Sequence, residues 1–131
     1  MANASPPTVA IVGASADRSK YGAKSVRAHL RQGYKVFPIN PKGGEVEGLP
    51  VYTSLSDIPK DELTDGRLDR VSFYVPPEIG LGLLPQVAAA NPREFFLNPG
   101  SESVEVVEVA AALGLDPIQA CSIIAIGETP D

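Results

Sequence analysis

The chain has a single cysteine and a single histidine among its 131 residues. One thiol, Cys121, leaves no intrachain disulfide framework and no multi-cysteine metal site. No apolar run approaches the roughly 20 residues needed to span a bilayer. The first residues, "MANASPP", lack the basic region of a secretion signal, and the apolar stretch after them is too short for one. A cytoplasmic protein without a membrane partner is expected. The formal net charge of −5 also lacks the basic footprint that nucleic-acid binding requires.

Several kinds of chemistry are missing as well. There is no carboxylate pair, no serine with a partnered histidine and no metal-ligand cluster, so no catalytic residue and no metal site are assigned. The sole histidine, His29, falls inside a helical pattern between Ala28 and Leu30 and is expected to be exposed or half-buried. Glu78, Glu94 and Glu128 are isolated and read as surface residues. The phosphate loop G-x-x-x-x-G-K-[ST] does not occur.

What is present is an alternation of strand and helix patterns in one domain, residues 8–131, behind a flexible N-terminus of residues 1–7. "TVAIV" (8–12), "KVFPI" (35–39), "RVSFYV" (70–75) and "EFFLN" (94–98) are short strand-like runs, and a last strand lies somewhere in "PIQACSIIAI" (117–126). Pro38 suggests an edge, a bulge or the end of its strand. Helical spacing covers about 20–32, the stretch after Pro77, and the stretch from Val104 to Gly114, with Ser101 as a candidate N-cap. "NPKGGEVEGLPVY" (40–52) reads as a loop, and "SLSDIP" (54–59) as a brief turn or helix. Such alternation predicts an α/β, Rossmann-like, doubly wound fold: a mainly parallel five-stranded sheet with helices on both faces. Ligands of such sheets sit beyond the carboxyl ends of the strands, where strand order reverses. Residues 13–20, 40–44, 74–77 and 98–101 then surround one crevice.

Seven of the eleven basic residues lie between Arg18 and Lys42, with no acid among them. This stretch would focus a small, highly charged anion on one side of the molecule. The dinucleotide fingerprint G-x-G-x-x-G is replaced by "GASADRSKYG", and the second strand ends in Asn40 and Lys42 where an acid would hold bare ribose hydroxyls. An amide and a cation there suit an extra ribose phosphate. Two ligands carry one, a dinucleotide with a 2′-phosphate (NADP) and coenzyme A with its 3′-phosphate.

The spacing "VAIVGAS … GYKVFPINPK … G-x-PVY-SL-DIP" resembles the small stand-alone coenzyme A-binding proteins, Rossmann-like domains akin to the N-terminal domain of the succinyl-CoA synthetase α subunit. "NPKGGEVEGLPVY" is similar to the synthetase's Lys-Gly-Gly loop with Gly-Leu-Pro-Val, and "FYVPPE" to its Tyr-Val-Pro-Pro. The similarity runs from about Thr8 to Gly127. It implies coenzyme A or acyl-CoA as ligand. Gly13, Ala14 and Ser15 would offer backbone N–H groups to the pyrophosphate, with Arg18 and Lys20 adding charge. Asn40 and Lys42 would meet the ribose and its 3′-phosphate. Val75, Pro76 and Pro77 would form an apolar wall, and Asn98, Pro99 and Gly100 would border the pantetheine arm. Cys121 is expected as a small buried hydrophobe, its alternative being a thiol near the pantetheine end. "NPGSES" replaces the family's glycine-rich turn after Gln, which leaves the acyl end of the pocket undefined. The synthetase's phosphorylated histidine lies in a second domain that this sequence does not contain, so ligase activity by this chain alone is not expected. Binding without turnover follows, the cofactor being sensed, sequestered or presented. A homo-oligomer or an acyl-CoA-using enzyme is the candidate partner. An NADP-binding Rossmann protein, either an oxidoreductase fragment or a redox sensor, is the alternative.

Overall fold

In the computed structural model the described residues are 6–130. Residues 1–5 of the expected flexible N-terminus lie outside them, and Pro7 is already tied to the fold through its carbonyl, which accepts the Lys35 N–H at 2.8 Å. The elements follow as β1 (Thr8–Val12), α1 (Tyr21–Arg31), β2 (Lys35–Ile39), β3 (Glu45–Val46), β4 (Leu49–Pro50), β5 (Arg70–Phe73), α2 (Pro77–Ala90), β6 (Glu94–Leu97), α3 (Val104–Ala112), β7 (Pro117–Gln119) and α4 (Ser122–Ala125). Single 3-10 turns occupy Leu55–Asp57 and Lys60–Glu62.

The main sheet has the order β2-β1-β5-β6-β7 and every pairing in it is parallel. From β1 the chain steps outward to β2; from β5 it steps the other way through β6 to β7. With right-handed crossovers, opposite steps put the helices on opposite faces. Accordingly α2 packs with α3, and α1 with α4. The side chains of β1 divide between the layers with the period of two that a strand imposes. Ala10 and Val12 join Phe73, Leu84, Val87, Leu97 and Val106, whereas Val9 and Ile11 join Val26 and Val36. The Rossmann-like architecture read from the alternation is the observed one.

Pro38 lies within edge strand β2, where its carbonyl accepts the Tyr52 N–H at 2.9 Å on the outer side. Its missing N–H points the same way and removes no bond to β1. The stretch read as a loop contains a hairpin, β3–β4, turned by Glu47 (φ 51°) and Gly48 (φ 80°), two left-handed residues in succession.

Three strand ends differ from expectation. The strand beginning at Arg70 ends at Phe73; beyond it the Val75 carbonyl accepts the Ser101 hydroxyl at 2.6 Å rather than a strand N–H. Ser101 is therefore not the cap of α3. Ser103 is, its hydroxyl accepting the Val106 N–H at 3.1 Å. The strand beginning at Glu94 stops one residue early, at Leu97. The last strand is only Pro117–Gln119, and the β-branched "SIIA" that follows is helical.

His29 is the largest departure. It is fully buried in the last turn of α1, at the end of the sheet where the strands begin. Its Nδ1 lies 2.8 Å from the Ser25 carbonyl, and its Nε2 faces the Arg70 guanidinium at 3.4 Å. A carbonyl can only accept and a guanidinium can only donate, so the ring is the neutral Nδ1–H tautomer. Arg70 is itself buried, stacked 4.4 Å over Phe96 and paired with Glu94 at 2.9 Å. Burial depresses the histidine pKa to about 4; the Ser25 hydrogen bond opposes this and the Arg70 charge adds to it.

Candidate functional site

Where strand order reverses, the chain leaves the carboxyl ends of β1 and β5 towards opposite faces of the sheet, and a crevice of about 610 Å³ lies there. Two glycines permit its floor. Gly13 has φ +92°, and a Cβ there would stand 2.8 Å from the Tyr74 carbonyl oxygen. A Cβ on Gly22 would run into the Gly13 carbonyl oxygen, so this helical glycine lets α1 sit directly on the turn.

Eight of the thirteen residues expected to contact a ligand line the crevice: Gly13, Ser15, Lys20, Val75, Pro76, Asn98, Pro99 and Gly100. The other five lie elsewhere. Ala14 is buried beneath the turn, and Pro77 is the first residue of α2. Asn40 ties two loops together, donating from Nδ2 to the Ala14 carbonyl at 2.8 Å and accepting the Lys42 N–H at 2.9 Å. Lys42 is exposed outside the crevice. Arg18 turns to Glu47, at 3.0 Å, and Arg27 reaches the same carboxylate oxygen at 2.9 Å. Burial works against the Glu47 charge, but these two guanidiniums outweigh it and hold the carboxyl below its usual range.

The unbroken basic stretch of the sequence is thus divided in space. Glu47 takes Arg18 and Arg27, Glu128 takes Arg31 at 2.9 Å, and Glu62 takes Lys35 at 2.8 Å. All three acids lie outside the stretch, which is why composition alone concealed the pairing. They also make Glu128 an ion-pairing residue, as Arg70 does Glu94.

The turn after β1 does not offer its first amides to a ligand. The N–H groups of Gly13 and Ala14 both donate to the Ile39 carbonyl, at 3.1 and 3.2 Å. The helix begins only at Tyr21, after a loop in which Asp17 accepts the Ser19 hydroxyl and N–H at 2.7 and 3.0 Å. These bonds hold the Asp17 carboxyl below its usual pKa, with the Lys20 charge adding to them against a small desolvation effect. The open donors of the crevice lie instead at the start of α1. Lys20 is its N-cap with no side-chain cap, no acid stands in the first turn, and Lys20, Tyr21 and Gly22 line the cavity. The Lys20 ammonium makes no ion pair among the described residues. Uncapped amides at a helix start, with a cation and the Ser15 hydroxyl beside them, are a donor set for phosphate.

Asn98 lines the crevice but its side chain is fully engaged. Nδ2 donates to Ser72 Oγ and to the Phe73 carbonyl, both at 2.7 Å, and Oδ1 accepts the Ser122 N–H at 2.8 Å. Ser122 Oγ lies 2.7 Å from Ser72 Oγ and 3.0 Å from the Tyr74 hydroxyl. Burial raises the Tyr74 phenol above its usual pKa against hydrogen bonds from Ser122, Ser25 and Ser72, while a Cys121 charge adds to the rise. This buried polar cluster forms the floor and carries α4, whose N-cap is Cys121. Cys121 is not a buried hydrophobe; it is half-buried and lines the crevice, with Tyr21, Ile124 and Pro130. Sequence reasoning left out Tyr21, Gly22, Ile124 and Pro130; it placed Tyr74 and Ser101 at the crevice but gave neither a ligand contact.

Residues 7–127 match the family described as the CoA binding domain. The chain belongs to that family. A conserved hypothetical protein from Pyrococcus furiosus superposes with a TM-score of 0.77 at 31% identity, covering 91% of this chain and 98% of its own. The acetate–CoA ligase (ADP-forming) I α subunit of Pyrococcus furiosus is 39% identical over 62 residues, which are 43% of this chain and 13% of the ligase subunit. The dinucleotide-forming acetyl-coenzyme A synthetase 1 of Ca. Korarchaeum cryptofilum, in complex with phosphate and ADP, superposes with a TM-score of 0.71 at 30% identity, over 88% of this chain and 26% of that one. This CoA-binding domain therefore spans a minor part of the length of those ligase and synthetase chains. Neither the family nor these relatives support the NADP alternative. No group of three or more His, Cys, Asp or Glu residues placed to hold a metal occurs among the described residues, and none of their helices is long and apolar enough to cross a membrane.

Proposed function

We propose that this CoA-binding domain holds coenzyme A or an acyl-CoA in the crevice beyond β1 and β5 and does not turn it over. The observation that carries the reading is the family match over residues 7–127, joined to a crevice whose donor set suits that ligand. The pyrophosphate is assigned to the start of α1, with Lys20 and the Ser15 hydroxyl. Val75 and Pro76 give adenine or the upper pantetheine arm an apolar wall, and the lip at Pro99 and Gly100 borders the rest of the arm. Lys42, exposed and without an ion pair among the described residues, is assigned to the 3′-phosphate; Asn40 holds the loop that carries it.

A non-catalytic role is supported by the sole histidine. It lies at the opposite end of the sheet with both ring nitrogens facing partners, and it is neutral. The names of the ligase and synthetase relatives accord with a CoA ligand, but their chemistry belongs to chains of which this one matches 13% and 26%. On this reading the protein senses, sequesters or presents the cofactor in the cytoplasm, or delivers it to an acyl-CoA-using enzyme.

Calorimetric titration under reducing conditions with coenzyme A, dephospho-coenzyme A, NADP and NAD tests the proposal. Coenzyme A is expected to bind more tightly than the other three. Absence of coenzyme A binding, or equal binding of NADP, overturns it.

A further inference from the structure

Every helix that follows a strand of a parallel sheet starts at the end where the strands finish. Helix starts therefore ring the crevice mouth, and four of them carry the most exposed large apolar side chains among the described residues. They are Tyr21, the first residue of α1, at 56% exposed; Ile79 in α2 at 54%; Val104, the first of α3, at 75%; and Ile124 in α4 at 63%. Single exposed apolar residues need no explanation, but a ring of them around one mouth does.

Charge divides this ring. On the α1 side lie Lys20 and Lys24, the latter with its ammonium 5.0 Å over the Tyr21 ring, together with Arg18 and Arg27; Asp17 and Glu47 offset them only in part. On the α2–α3 side lie Glu78, Glu102 and Glu105, all exposed, in the first turns of α2 and α3 or just before α3. No basic residue occurs from position 71 to 92 or from 94 to 105. The face is thus apolar around its centre, basic on one half and acidic on the other. That is the pattern of a surface complementary to its own copy, since a two-fold axis lays each half on the opposite half.

We propose that two copies of this chain meet across their crevice mouths about such an axis. Tyr21 and Ile124 of one copy approach Ile79 and Val104 of the other, and the α1 lysines of each face the α3 glutamates of its mate. The inference does not depend on what the crevice holds.

Sedimentation equilibrium of the full chain over a range of concentrations, at low and at high salt, tests it. The wild type is expected to dimerise, less tightly as salt screens the charge pairing. Val104→Glu, at an exposed helix start, is expected to raise the dissociation constant by roughly tenfold or more. Glu105→Lys and Lys24→Glu are each expected to weaken the dimer, because each sets like charges against one another twice. Mixed together they should recover it, since the heterodimer restores both attractive sets. Circular dichroism confirms that each variant is folded. A wild type that stays monomeric at every concentration overturns the proposal, whether or not it captures another protein. A dimer indifferent to Val104→Glu overturns it as well, and so does a mixture that fails to recover. Coenzyme A titration of the same variants is a separate reading, so loss of the dimer with binding retained leaves the ligand assignment untouched.

Discussion

The polar residues expected at the ligand divide into those whose side-chain atoms are already engaged and those whose side-chain atoms are open to it. Asn40 and Asn98 belong to the first group; Lys20 and Lys42 belong to the second. Chain order does not separate these cases, because an asparagine at the end of a strand looks the same whether it faces a phosphate or a neighbouring loop. Lys42→Ala is expected to weaken coenzyme A by roughly 1.5–3 kcal/mol, the scale of a hydrogen bond to a charged group, and to leave dephospho-coenzyme A nearly unchanged. Equal losses for both ligands in calorimetry would remove Lys42 from the 3′-phosphate. Gly22→Ala acts differently. Its Cβ meets the backbone oxygen of Gly13, which no rotamer can relieve. A loss of roughly 1–3 kcal/mol is expected in denaturant unfolding, the cost of overpacking, with coenzyme A affinity falling as α1 shifts off the turn.

At the scale of elements, β1, β2, β5 and β6 were legible as short, nearly continuous apolar runs, as buried parallel strands are, and the three long helices by apolar residues at helical spacing. What escaped was short or held by distant partners. The β3–β4 hairpin has two residues per strand, too few for a period, and is fixed by Glu47 reaching Arg18 and Arg27. In "SIIA" the β-branched run reads as a strand, yet it forms α4, because the buried cluster of Asn98, Ser72 and Tyr74 fastens Ser122 in place. Asn98→Ala tests that statement. Removing its side chain leaves the buried Ser122 N–H without its acceptor, and takes one of their hydrogen bonds each from Ser72 Oγ and the Phe73 carbonyl. A loss of roughly 2–4 kcal/mol in urea unfolding is expected, from a few such buried polar groups. Cys121, the N-cap of the loosened helix, should then react faster with a thiol reagent than in the wild type. Unchanged reactivity would show that α4 is held by its apolar contacts instead.

For the whole molecule, the buried His29 makes stability depend on acidity. In the unfolded chain its pKa is the ordinary 6.5; in the folded chain it is depressed to about 4 by burial. Between those values the unfolded state binds a proton that the folded state does not, so stability falls as pH falls from about 6.5 towards 4. The contribution is fully present above 6.5, and the displacement corresponds to roughly 3 kcal/mol. Groups around the ring sharpen the effect. Arg70 already carries a positive charge against Nε2, and Glu94, paired to that guanidinium, does not reach the ring. Asp17 and Glu47, both held below their ordinary values, contribute in the same direction at lower pH, as each takes up its proton. Urea unfolding at pH 7 and at pH 4.5 should show the wild type losing stability across that interval. His29→Gln keeps an amide donor for the Ser25 carbonyl but cannot titrate. It should be less stable at pH 7 and much flatter between the two pH values. A variant that retains the full slope would place the titrating group elsewhere and remove His29 from the acid response.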